Sequence, residues 1–227
     1  MPKYTKFRRD RIVSGMWIHV RSNWWLGRGI RFALNKWEAR TCKQLGVPAV
    51  PVWGNHDGIV IGPNVPHIGP DWGIGEALAE GSVITSLEQY EKDMASGHLE
   101  VRVFVPLPRT PEENPREVMW KAACNWEMDV EDRKYDYWAY IGLICQAFLG
   151  WHISTDERGH FWCTEGADDA YILCPPDYDL LQDDTPTPMH VEQVARTAGA
   201  AEGQSLIPRP LKRIITLQEV TQDVLSE

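Results

Sequence analysis

A chain of 227 residues, 43% of them hydrophobic, carries enough apolar side chain for one substantial core and falls within the size range of a single domain. Its net charge of −9 weighs against a sequence-independent hold on nucleic acid or on an anionic lipid surface, since both depend on clustered Lys and Arg, although local basic patches remain open. No window reaches the roughly eighteen uncharged apolar residues of a membrane-spanning helix, Tyr137 to Ile153 being the nearest, so no integral membrane segment is expected.

The chain opens on a basic run of Lys3, Lys6, Arg8, Arg9 and Arg11. It lacks the apolar stretch and small-residue cleavage site of a secretory signal, so residues 1–11 read as a solvated arm and the expected location is cytoplasmic or phage-associated. From Ile12 to Val20 the density of β-branched and aromatic side chains predicts a strand. Then the period changes: Trp24, Trp25, Arg28, Ile30, Phe32, Ala33, Leu34 and Trp37 recur at helical spacing, with Asn23 in front as a cap. Pro48 and Pro51 make Leu45–Trp53 a loop or edge.

His56–Ile61 predicts the next strand, closed by Gly62, Pro63 and Asn64. Its partner is expected over Asp71–Ala79, followed by Ser82–Thr85, a polar helix over Ser86–Met94 and an alternating strand over Leu99–Val105. Pro111–Trp126 reads as a helix capped by Thr110, with Glu112 and Glu113 favoured in its first turn, and Tyr135–Leu149 as a second, more buried one. A helix is expected over Cys163–Leu173. Beyond Cys174 only a short helix over Met189–Ala198 and a strand-like Leu211–Leu217 stand out.

The five cysteines, Cys42, Cys124, Cys145, Cys163 and Cys174, include no C-x-x-C pair and suggest free thiols rather than a disulfide framework or zinc site. A cysteine becomes a nucleophile when a helix N-terminus and a nearby imidazolium stabilise its thiolate. Cys163 opens a helix-compatible stretch of small residues, and His56, heading an apolar strand, is the most suitable partner. Other groups have plainer readings. Glu165 is a first-turn helix acid, His160 an exposed loop residue, and Tyr135 and Tyr137 are core rings with tied hydroxyls. Asp177, Asp179, Asp183 and Asp184 lack calcium-loop spacing and form a solvated face, and Asp57 faces solvent by strand alternation. Neither a cofactor nor a metal is expected. The eleven tryptophans exceed what such a core requires, and an exposed aromatic cleft would be one use for them.

Four segments in order carry a resemblance: SGMWIHVRSNWWLGRGIRFALN at 14–35, NHDGIVIG at 55–62, GIGEAL at 73–78 and FWCTEGADDAY at 161–171, with YDYWAYIGL at 135–143 before the last. Together they resemble the permuted branch of the NlpC-type cysteine peptidase superfamily, the YiiX/YebB-like proteins. The resemblance implies an α+β, circularly permuted papain-like fold, an antiparallel sheet packed with helices. Its catalytic domain would span 12–175, and a C-terminal extension, 176–227, would pack on or beside it. Cys163 then matches the nucleophile, His56 the general base and Glu76 the residue that orients the imidazole. Departures are Asp57, the long 36–53 insertion, and Gly166 and Asp168 in place of bulkier residues.

The activity implied is that of a cysteine peptidase or amidase acting on a peptide or amide substrate, with peptidoglycan as the implied class. Two alternatives stand beside it. One is a lipid acyltransferase or lipid-amide hydrolase of the same fold branch, which an apolar, Trp-lined cleft would favour. The other is a catalytically silent phage or virion protein that uses the fold for binding.

Overall fold

Strands buried on both faces read as near-continuous apolar runs, whereas a strand at an edge alternates. The run Gly58-Ile59-Val60-Ile61 therefore belongs in the middle of a sheet, and there the computed structural model places it. Its described residues are 4–45, 49, 51–63, 65, 71–78, 80–107, 113–126, 134–135, 145, 148–149, 160–161, 163–172 and 217–227. In chain order the elements are β1 (Lys6–Phe7), β2 (Trp17–Ser22), α1 (Trp25–Leu45), β3 (His56–Ile61), β4 (Gly73–Leu78), β5 (Gly81–Ser86), α2 (Leu87–Ser96), β6 (Leu99–Pro106) and α3 (Pro115–Asn125). They continue with β7 (Lys134–Tyr135), β8 (His160–Phe161), α4 (Cys163–Ile172), β9 (Leu217–Glu219), α5 (Thr221–Val224) and β10 (Leu225–Ser226).

The fold is mixed α+β, built on a six-stranded antiparallel sheet of order β5-β4-β3-β2-β6-β9. One face carries Trp17, Ile59, Ile61, Ala77 and Phe104 and is covered by α3 and α4 through Val118, Ala122, Trp126, Ala167 and Tyr171. The other carries Ile18, Val20, Val60, Ile74 and Val103 and is covered by α2 through Leu87, Tyr90 and Met94. The β3 bounds agree with the sequence pattern and β4 falls inside the expected Asp71–Ala79; Ile59 lies opposite Gly75, and Gly58 opposite Glu76. Among the described residues, no helix is long and apolar enough to cross a membrane.

Helix α2 shows why its ends fall where they do. Ser86 sits in extended conformation and its Oγ accepts from the Gln89 N–H at 3.2 Å, while Gly97 closes the helix at φ 78°, a left-handed conformation that costs glycine little. Replacing that cap oxygen, Ser86→Ala, is expected to lower stability by about 1 kcal/mol in urea unfolding, a value typical of lost N-caps.

Several sequence expectations shift. The first strand begins at Trp17 rather than Ile12. Asn23 does not head α1 as a cap; its side-chain amide donates to the Gly97 carbonyl at 3.0 Å and ties the β2 end to the α2–β6 turn. Helix α1 runs on to Leu45 because no Gly or Pro interrupts Ile30–Leu45, and it absorbs much of the supposed insertion. Helix α3 starts at Pro115, with Asn114 as its cap, because the residue before a proline is driven out of helical conformation while proline itself suits the first helical position. Thr110, Pro111 and Glu112 lie outside the described residues. Tyr135 forms part of β7, not a helix, and pairs in parallel with Phe161; Phe148 and Leu149 are about half exposed, at 47% and 54%, rather than buried.

The N-terminal segment also differs from a free solvated arm. Strand β1 pairs with β10, and Phe7 and Leu225 are buried against α2, with the Phe7 N–H donating to Glu91 Oε1 at 2.9 Å. The charged side chains of the arm, Lys6, Arg8, Arg9, Asp10 and Arg11, are exposed. Strand β9, Leu217–Glu219, extends the main sheet beside β6, and residues 189–198 and 211–216 are outside the described residues.

Candidate active site

Because β3 starts at His56 and β4 runs antiparallel beside it, alternation sets His56 and Glu76 on the same sheet face, close enough to pair diagonally. His56 Nε2–H donates to Glu76 Oε2 at 2.6 Å, and the Tyr90 hydroxyl on α2 donates to that same oxygen, also at 2.6 Å. Thr85 on β5 adds a further hydrogen bond to Glu76. With Nε2 taken by the carboxylate, Nδ1 is the nitrogen left for the Cys163 thiol, which is hydrogen-bonded to His56 from the first position of α4. Helix α4 packs on β3 and β4, and Tyr171 locks it by donating to the Gly15 carbonyl and stacking at 6.1 Å from Trp17.

The electrostatics follow from this chain of contacts. Burial by itself would lower the His56 pKa. The charge of Cys163 and its hydrogen bond, followed by the hydrogen bond and charge of Glu76, outweigh that and raise it well above the ordinary value. Burial pushes Glu76 the other way, but its bonds to His56, Thr85 and Tyr90 hold it below the usual carboxylate range. The Tyr90 hydroxyl is pushed well up by burial and by the Glu76 carboxylate, so it stays a donor.

The three residues proposed from sequence therefore meet in one hydrogen-bonded chain, thiol to imidazole to carboxylate. Compared with models of known protein families and with curated proteins, the sequence matches none. The reading of this site thus rests on its own geometry and on the resemblance carried by its motifs.

Asp57 corrects the sequence expectation. It does not face solvent: it is fully buried, its Oδ1 accepting from Trp17 Nε1–H at 2.9 Å and from His19 Nδ1–H at 2.7 Å. Alternation was the right rule, but both faces of β3 are covered, so neither leads to water. His19 is fully buried as well, stacks at 5.5 Å from Trp53, and lies against Gly54, where a Cβ would come within 2.1 Å of its ring. Between the two clusters, Asn55 accepts from the Ser22 N–H and from Arg31 Nη1, each at 2.9 Å, and so fixes the residue immediately before His56.

Sequence reasoning missed Tyr90 and Thr85, which bond Glu76, and His19, which bonds Asp57. For Tyr90 a signal existed: Leu87, Tyr90 and Met94 form the one apolar stripe on an otherwise polar helix. Glu165 and His160 have no described side chains, and Tyr137, Cys174, Asp177, Asp179, Asp183 and Asp184 lie outside the described residues. Among the described residues, no group of His, Cys, Asp and Glu is arranged to hold a metal ion.

A groove of about 680 Å³ opens on His56, Glu76 and Tyr90. Trp24, Leu26, Ile30, Leu78 and Leu99 supply its apolar lining, and His56, Glu76 and Tyr90 are among its polar lining. Cys42, by contrast, is a buried thiol away from this chain; burial and its hydrogen bond to Glu38 push its pKa up, which makes it a poor nucleophile.

Proposed function

We propose that this chain is a cysteine-dependent amide hydrolase with a circularly permuted papain-like fold, in which Cys163 is the nucleophile, His56 the acid–base and Glu76 the positioning residue. The observation that carries the reading is the single hydrogen-bonded chain from Cys163 through His56 to Glu76. The thiolate attacks the carbonyl carbon, and the first N–H groups of α4, which have no intrahelical acceptor, stabilise the oxyanion. The C–N bond breaks, His56 gives its proton to the leaving amine, and a thioester remains. Water, deprotonated by neutral His56, then cleaves the thioester and releases a carboxylic acid and the free thiol.

Peptide stems or cross-links of the bacterial cell wall are the substrate class implied by the resemblance. The test is release of peptides from purified peptidoglycan, followed by mass spectrometry. Wild type is expected to release them and Cys163→Ala to lose at least about a thousandfold in rate, as removal of an activated nucleophile does. Equal rates for the two proteins would end the proposal.

One observation favours a second reading. The groove beside His56 is walled by Trp24, Leu26, Ile30 and Leu78, a lining suited to an acyl chain more than to a charged peptide. Under that reading the substrate is a long-chain N-acyl amide or an acyl ester, and the same assay with such a substrate in micelles would release fatty acid in a Cys163-dependent way.

A further inference from the structure

Helix α1 carries an exposed stripe that internal packing does not account for. On the helix Trp25 is 80% exposed, Phe32 56% and Leu26 52%, and Trp24, which precedes the helix and packs on His98, is 54% exposed, an unusual concentration of large apolar side chains facing water. Phe148, itself 47% exposed, extends the patch with its ring centroid 5.8 Å from that of Phe32. Trp25, Arg28, Phe32, Lys36 and Lys43 recur every three to seven residues and are all exposed, so they share one side of the helix. The opposite side, with Ala33, Leu34 and Cys42, is buried.

Charge separates this helix from the rest of the chain. It holds Arg28, Arg31, Lys36, Arg40 and Lys43 against a single acid, Glu38, and Glu38 is buried, whereas the protein as a whole carries −9. Lys36 Nζ lies 5.7 Å from the Phe32 ring centroid, so cation and aromatic ring form one surface. Lysine is depleted in the cores of protein–protein interfaces, whereas aromatic rings flanked by Lys and Arg are the composition of helices that lie in a lipid headgroup layer.

We propose that α1 docks the protein onto an anionic phospholipid bilayer, with Trp25 and Phe32 at the headgroup–acyl boundary and Arg28, Lys36 and Lys43 against lipid phosphates. The helix lies on the surface and does not span it, in keeping with its many charges. The net charge of −9, which weighs against such binding for the chain as a whole, instead orients it, because the acidic remainder of the surface is repelled. Trp24 and Leu26 belong both to this patch and to the wall of the His56 groove, so docking brings the groove mouth to the acyl layer. That last consequence rests on the hydrolase reading; the docking itself does not.

The experiment is sedimentation of the full chain with vesicles of phosphatidylcholine alone or mixed with phosphatidylglycerol, at low and high salt. Wild type is expected to bind the mixed vesicles, less so at high salt, and Cys163→Ala to bind equally, which separates docking from catalysis. The double variant Trp25→Ser/Phe32→Ser is expected to lose about tenfold or more in bound fraction, and Lys36→Glu/Lys43→Glu to lose binding to the mixed vesicles selectively. Wild type left in the supernatant at low salt, or variants that bind as well as wild type, would overturn the proposal. So would a wild-type dimer by light scattering that Trp25→Ser/Phe32→Ser converts to monomer, since the stripe would then belong to a second copy.

Discussion

Iodoacetamide near pH 6 is expected to alkylate Cys163 at least about tenfold faster than Cys42, and His56→Ala to erase that preference. Exposure does not explain the difference, since Cys163 is 4% exposed and Cys42 8%. What differs is the neighbour: Cys163 has the His56 imidazole, while Cys42 donates to the Glu38 carboxylate at 3.3 Å, which opposes thiolate formation. The pH dependence has a definite sign. The His56 pKa is raised, so the imidazolium persists as pH climbs past about 6.5, and the advantage of wild type over His56→Ala shrinks only when pH rises through the raised value. Glu76→Gln removes a charge that helps hold His56 protonated, so the fall is expected at lower pH in that variant, a shift that a merely structural role for Glu76 would not produce.

Stability follows the same linkage. The contribution of His56 is complete below about pH 6.5 and is lost as pH rises through its folded value; that of Glu76 is complete above about pH 4.3 and is lost as pH falls through its lowered one. Between those limits the pair is at full strength. Mass spectrometry of peptides after timed alkylation reads all these rates. Cys163 reacting no faster than Cys42 would remove the nucleophile and leave the binding-protein reading in front.

The strands that carry His56 and Glu76 were legible because their punctuation is local. Gly62 and Pro63 close β3, and Gly81 separates β4 from β5, so alternation could be read between fixed ends. The Cys163–His56 pairing was only suggested by chemistry, a cysteine at a helix start and a histidine heading an apolar strand; the resemblance of the flanking motifs singled it out. Elements made by long-range contacts were not legible. Strand β1 is two residues long and exists because Leu225 and Ser226 pair with it from the far end of the chain, and β9 is defined by its place beside Phe104–Pro106. No local pattern marks such partners. The α3 start failed for a different reason: Pro111 and Pro115 are both credible first-turn prolines, and Asn114 decided between them by accepting from the Arg116 N–H at 3.2 Å.

Asp57→Ala is expected to cost about 3–5 kcal/mol of stability, the largest loss foreseen for a single side chain outside the candidate active site. A solvent-facing Asp57, as alternation alone suggested, would give a change within about 0.5 kcal/mol, so urea unfolding separates the two outcomes cleanly. The larger figure follows from what the truncation leaves behind. Trp17 Nε1–H and His19 Nδ1–H are both fully buried, and each would lose its acceptor with no water to replace it, at about 1–3 kcal/mol apiece. Asp57→Asn retains an acceptor oxygen of nearly the same shape and is expected to lose less, about 1–2 kcal/mol. Because Asp57 is covalently next to His56 and clamps β3 to β2 through Trp17 and His19, loosening it should also disturb the imidazole on the opposite face. Cys163 alkylation in folded Asp57→Asn reads that coupling directly. A rate lowered while the variant remains folded would make the buried His19–Asp57–Trp17 cluster the support that holds the Cys163–His56–Glu76 chain in register.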